Sequence, residues 1–116
     1  MRRVFEALSS AGCDVVYGLK MHAGQEEFYL KELRQFAYDT TIRKLDSAVS
    51  SGDAGKCYLY SKALLPIYAG LGFMPALYVS DSIAESAKRG MIACLPSLFA
   101  KLDELHSEYT KIIRIN

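Results

Sequence analysis

Gly52–Gly90, GDAGKCYLYSKALLPIYAGLGFMPALYVSDSIAESAKRG, decides the architecture. It holds two apolar segments of helical period that meet at Gly70–Gly72, with one lysine, Lys62, among apolar residues in the first. Gly52 suits the left-handed position that ends a helix, and Asp53 suits the cap of the next. The spacing predicts a helix over Ala54–Ala69, with Cys57, Tyr60, Leu64, Ile67 and Leu71 inward and Tyr58, Lys62, Pro66 and Ala69 on another face. Pro75 opens a second helix over Pro75–Arg89, ended by Gly90, with Leu77, Val79, Ile83 and Ala87 partly inward.

Working outward, Gln25–Ser50 reads as one long helix through Leu30, Leu33, Ala37, Thr41, Leu45 and Ala48, bent slightly at Asp39-Thr40-Thr41. Leu95–Ile113 shows the clearest period of the chain, through Leu95, Leu98, Leu102, Leu105, Tyr109 and Ile112. Arg2–Ser10 and Val15–Met21 are shorter helix candidates, the second capped by Asp14, with His22 at its C-terminal end. Four long amphipathic helices with short connections must bury their stripes against one another. The expected fold class is all-α: an antiparallel up-and-down four-helix bundle with one or two short N-terminal helices, in a single domain over 1–116.

Composition narrows function by exclusion. Fourteen basic residues nearly balance thirteen acidic ones, so no global charge excess gathers nucleic acid or anionic lipid. Charges and glycines interrupt every apolar run well short of a membrane span, so no membrane insertion is expected. Cys13, Cys57 and Cys94 are widely spaced, read as small core residues, and fit a reducing, cytoplasmic setting. GLGF lacks the strand context and further glycines of a phosphate loop and reads as a turn. The two histidines, His22 and His106, belong to no metal-ligand pattern, and no catalytic group assembles: no metal, no cofactor and no enzyme activity are expected. His106 reads as a partly packed histidine on the flank of the last helix; Glu104 and Glu108 beside it would repel an incoming phosphate.

One resemblance gives Lys62 a meaning. CDVVYGLKMHAGQEEFYLKELRQF, Cys13–Phe36, looks like the opening of the histidine-phosphotransfer (HPt) domain of two-component phosphorelays, with Tyr29, Leu33 and Phe36 in register. LDSAVSSGD, Leu45–Asp53, is similar to that family's Leu-x-x-Ala-small-x-x-Gly-Asp. The family's phosphoacceptor histidine follows the Asp by nine residues, which falls on Lys62. Gly72 and Arg89-Gly90 match later landmarks, and the resemblance spans about Ala11–Ile113. It departs at the acceptor itself: lysine replaces histidine, Leu65 stands for the family's lysine three residues on, and Pro66 for its glycine four residues on. A second register, with Tyr68 at the acceptor position, spoils the matches at Asp53 and Gly90.

The resemblance implies a degenerate member of the family. Phosphoryl relay needs a neutral nitrogen nucleophile, which imidazole supplies with its pKa near about 6.5; a solvated lysine, near about 10.4, is an ammonium at neutral pH. Pro66 removes the backbone N–H that would bond the Lys62 carbonyl, so a kink is expected there. What remains is recognition: a response-regulator receiver domain, with its acidic pocket, or a sensor kinase is the implied partner, and Tyr58, Lys62, Leu65, Pro66 and Ala69 are the candidate surface. The alternative from another class is a helical structural or dimerisation module, a homodimer through an exposed apolar face.

Overall fold

The computed structural model describes residues 2–116, which form seven α-helices: α1 (Arg3–Ser10), α2 (Val15–Lys20), α3 (Glu26–Phe36), α4 (Thr41–Ser51), α5 (Ala54–Leu71), α6 (Met74–Lys88) and α7 (Leu95–Ile115). Here α3 and α4 together make one arm of a four-helix core, completed by α5, α6 and α7, and α1 and α2 precede it. Apart from α3 and α4, which continue one another, sequence neighbours pack on each other through short turns, and α7 closes the bundle against α4 and α3.

The caps follow from the residue types. Asp14 accepts the Tyr17 N–H and Asp53 the Lys56 N–H, each at 3.0 Å, so two orphan donors are satisfied where α2 and α5 begin. Gly52 and Gly72 sit at φ +68° and +78° after α4 and α5. The His22 Nδ1–H donates to the Gly18 carbonyl at 2.7 Å, an end-of-helix role that fixes its tautomer.

The expected helix over Gln25–Ser50 is two helices rather than one bent one. The Asp39 carboxylate accepts the Thr41 N–H at 2.8 Å, offering the backbone a turn in place of a continued helix. Thr40 leaves the helical region, at φ −106° and ψ 4°, and α4 restarts from it. Across the break, Arg114 of α7 donates to the Ala37 carbonyl at 2.9 Å.

The inward faces also differ in register from the simplest reading. On α5 the buried set is Cys57, Ser61, Leu64, Tyr68 and Leu71, while Tyr60 and Ile67 are half-buried. On α6 it is Ala76, Ser80, Ile83, Ala84 and Ala87, with Leu77 and Val79 half-buried. Small residues therefore line the α5–α6 seam and let the two backbones approach. The Ser80 hydroxyl crosses it to the Ser61 carbonyl at 2.9 Å, and the Ser61 hydroxyl turns back on its own helix at Cys57 and Tyr58. Both buried hydroxyls thus have partners, as burial demands. Cys13 and Cys57 are buried and Cys94 half-exposed; burial pushes the Cys13 thiol up to about 12 and makes it an inert packing group.

An aromatic column fills the centre. Phe36, at the last turn of α3, meets Phe73 edge-on with centroids 5.0 Å apart, and Phe73 lies 4.5 Å from Tyr109 of α7. His106 stacks on Phe36 at 4.5 Å. His106 is therefore not a flank residue: it is 6% exposed and sits in the core. Leu98 and Leu105, expected inward on α7, are half-buried instead.

Candidate partner-binding face

The α5–α6 hairpin is held at its turn from behind by main-chain atoms. The Asp14 N–H donates to the Gly72 carbonyl at 2.7 Å, and the Tyr29 hydroxyl donates to the Leu71 carbonyl at 2.8 Å. A side chain at residue 72 would put its Cβ 2.1 Å from the Asp14 carbonyl oxygen, so only glycine admits this approach. Gly18 makes room for the Tyr29 ring in the same way: a Cβ there would lie 2.6 Å from it.

On the far side of α5, helical spacing puts Tyr58, Lys62, Leu65, Pro66 and Ala69 along one strip. Lys62 and Pro66 are exposed; Tyr58, Leu65 and Ala69 are half-buried. Lys62 Nζ stands 6.0 Å from the Tyr58 ring centroid, at the outer limit of a cation–π contact, and has no carboxylate within ion-pair distance among the described residues. Leu59, on the same side and absent from the sequence-derived set, is 59% exposed. On the neighbouring α6, Tyr78 is 67% exposed.

Pro66 does not interrupt the helix: α5 runs on to Leu71. The Lys62 carbonyl still lacks the i+4 N–H that any other residue at 66 would bring, which leaves an acceptor on the strip beside the ammonium. Below Pro66 the strip ends in a groove of about 340 Å³, lined from α5 by Pro66, Ile67 and Gly70 and from the other wall by His22, Gln35 and Phe36.

The second basic side chain of interest is inside. His106 Nδ1 is 2.8 Å from the Tyr68 hydroxyl, and burial lowers the imidazole pKa to about 4, partly countered by Asp39. Burial likewise raises the Tyr68 phenol well above its ordinary value, so it stays protonated. Tyr68, the acceptor position of the second register, is fully buried and carries no exposed nucleophile. Among the described residues no group of three or more His, Cys, Asp or Glu is gathered to hold a metal ion, and no helix is long and apolar enough to cross a membrane.

Compared with known structures, the chain is similar to histidine-containing phosphotransfer protein B of Pseudomonas aeruginosa PAO1, with a TM-score of 0.80 over 89% of this chain and 91% of that one. It shares that protein's fold. The sequences are 19% identical, so the likeness is one of architecture. No family model matches the sequence, and no curated protein does either.

Proposed function

We propose that this chain, as a single HPt-like bundle over 1–116, is a phosphorelay-associated interaction domain that carries no phosphoryl group and catalyses no reaction of its own. The reading rests on one observation: Lys62, which the resemblance aligns with the phosphoacceptor histidine, is an exposed cation on α5 with no ion pair among the described residues. Of the two histidines, His106 is buried with its Nδ1 taken by the Tyr68 hydroxyl, and His22 Nδ1 donates to the Gly18 carbonyl at the end of α2. The shared fold with a phosphotransfer protein supports the framework, and the lysine distinguishes the mechanism: an ammonium attracts an acidic pocket as a point charge but has no lone pair with which to attack phosphorus.

The partner in this reading is a response-regulator receiver domain, or the receiver-like part of a sensor kinase, met by Lys62 at the centre, with Tyr58, Leu65, Pro66 and Ala69 around it. Titrating the protein into purified receiver domains tests it. Saturable binding that Lys62→Glu weakens by roughly tenfold or more, equivalent to about 1.4 kcal/mol, supports the interface. Binding indifferent to that substitution, or phosphorylation of the chain by a competent donor, removes it.

A second reading, a helical dimerisation module, is favoured by the exposure of Leu59 and Tyr78 on adjacent helices. Sedimentation across a range of concentrations separates the two. A tight dimer that buries Lys62 supports dimerisation, and a monomer leaves the docking face free.

A further inference from the structure

A second groove lies away from the α5 strip, between the α3–α4 break and the C-terminal half of α7. It is a groove of about 640 Å³, a size suited to a small organic molecule. Its walls include Ile42 and Phe99, both buried, and the buried imidazole of His106.

The chemistry of that imidazole is set from behind. Tyr68 is fully buried, and its hydroxyl has no hydrogen-bond partner other than His106 among the described residues. Were His106 Nδ1 the donor, the Tyr68 proton would be left buried and unpaired, which is the costly arrangement. The phenol therefore donates to Nδ1, and the ring proton of the neutral imidazole resides on Nε2. Nε2 makes no hydrogen bond among the described residues. It is also not sealed, since the Tyr109 hydroxyl is the one unpartnered side-chain polar atom fully closed off from solvent among the described residues. A buried ring with one fixed, unused N–H on a groove is a donor waiting for an acceptor.

The charges around it select which acceptor. Asp39 exerts the larger charge effect on the imidazole, and Arg43, which forms no ion pair among the described residues, opposes it. Asp39 also faces the imidazole, but its carboxylate is engaged by the Thr41 N–H. Arg114 is turned to the Ala37 carbonyl and the Tyr38 ring. Asp46, Asp103 and Lys111 stand exposed on the rim and leave no net positive charge. One negative charge matches the pairing of the His106 N–H with the Arg43 guanidinium, whereas a second adds repulsion from Asp39, Asp46 and Asp103 on the same lining.

We propose that this groove binds a small monoanionic carboxylate with an apolar body, its oxygens taken by His106 Nε2–H and the Arg43 guanidinium and its body laid on Ile42 and Phe99. The site is separate from the α5 face and does not depend on the phosphorelay reading.

The test is titration of the full chain with sodium benzoate, followed by backbone amide and histidine side-chain NMR, with phenyl phosphate as the dianionic comparator. Saturable shifts centred on His106 and Arg43, weakened at least tenfold by His106→Phe and by Arg43→Gln, and weaker with phenyl phosphate, are expected. Arg43 is exposed, so Arg43→Gln stays informative even if His106→Phe fails to fold. Absence of saturable shifts at these residues, shifts that survive Arg43→Gln unchanged, or phenyl phosphate binding as tightly as benzoate would each overturn the assignment.

Discussion

Lys62 and His106 invite comparison because each holds what the other lacks. Lys62 has the exposed position on a helix face, with nothing charged against it, but an ammonium there is no nucleophile. His106 has the chemistry of a neutral imidazole at physiological pH, but it is enclosed by Phe36 and Tyr68. Accessibility and nucleophilicity, which a phosphoryl carrier must unite in one side chain, are divided between two helices. The difference teaches that the two residues answer to different measurements: the buried His106 to stability, and the exposed Lys62, in the proposed reading, to association.

The strongest way to break this contrast is at the partner that holds His106. Tyr68→Ala removes a fully buried ring and its hydrogen bond to Nδ1, and a loss of about 3–5 kcal/mol is expected in denaturant unfolding. A loss below about 1 kcal/mol would mean that the aromatic column does not carry the core.

Acid sharpens the same point. The folded imidazole protonates at about 4 and an unfolded one near about 6.5, so between those values the unfolded chain binds more protons. The histidine's contribution is therefore fully present above about pH 6.5, is lost as pH falls toward 4, and changes no further below that. On the order of 3 kcal/mol is at stake over this window. Urea unfolding measured at several pH values checks it: His106→Phe should flatten the dependence, and an equal slope in the variant would remove His106 as its source.

The smallest effect belongs to the other half of the comparison. Lys62→Ala, at an exposed site with no ion pair, should change stability by less than about 0.5 kcal/mol. A larger loss in thermal or denaturant unfolding would make Lys62 a structural residue and undercut its use as a docking cation.

Much of the fold was legible because it is local. Asp14, Gly52, Asp53, Gly72 and Gly90 announce helix ends through their own backbone preferences, and the α5 strip follows from spacing alone. The break between α3 and α4 was visible only as weak helix formers, because the hydrogen bond that decides it runs from a side chain to a backbone N–H two residues on. Which residues of α5 and α6 face inward depended on the neighbour: the close seam takes Ser61, Ser80 and alanines and displaces larger side chains to its margins. His106 was misplaced to a flank because its partner, Tyr68, stands 38 residues earlier, and nothing in either segment advertises the other. The groove beside it was illegible for the same reason, being made jointly by a helix break and a distant helix. The strip along α5 follows from helical spacing, but the exposure of Leu59 does not, since an exposed apolar side chain carries no mark of exposure in an apolar helix.

The grip on the α5–α6 turn bears on how costly docking is. Because Asp14 and Tyr29 hold the carbonyls of Gly72 and Leu71, the hairpin is anchored through atoms that every residue possesses, and side-chain change on its outer strip leaves the anchor intact. In the proposed docking reading, a strip carried on a hairpin anchored in this way surrenders little conformational freedom on contact. The outer strip is thus free to diversify, one substitution at a time, over a frame that stays rigid.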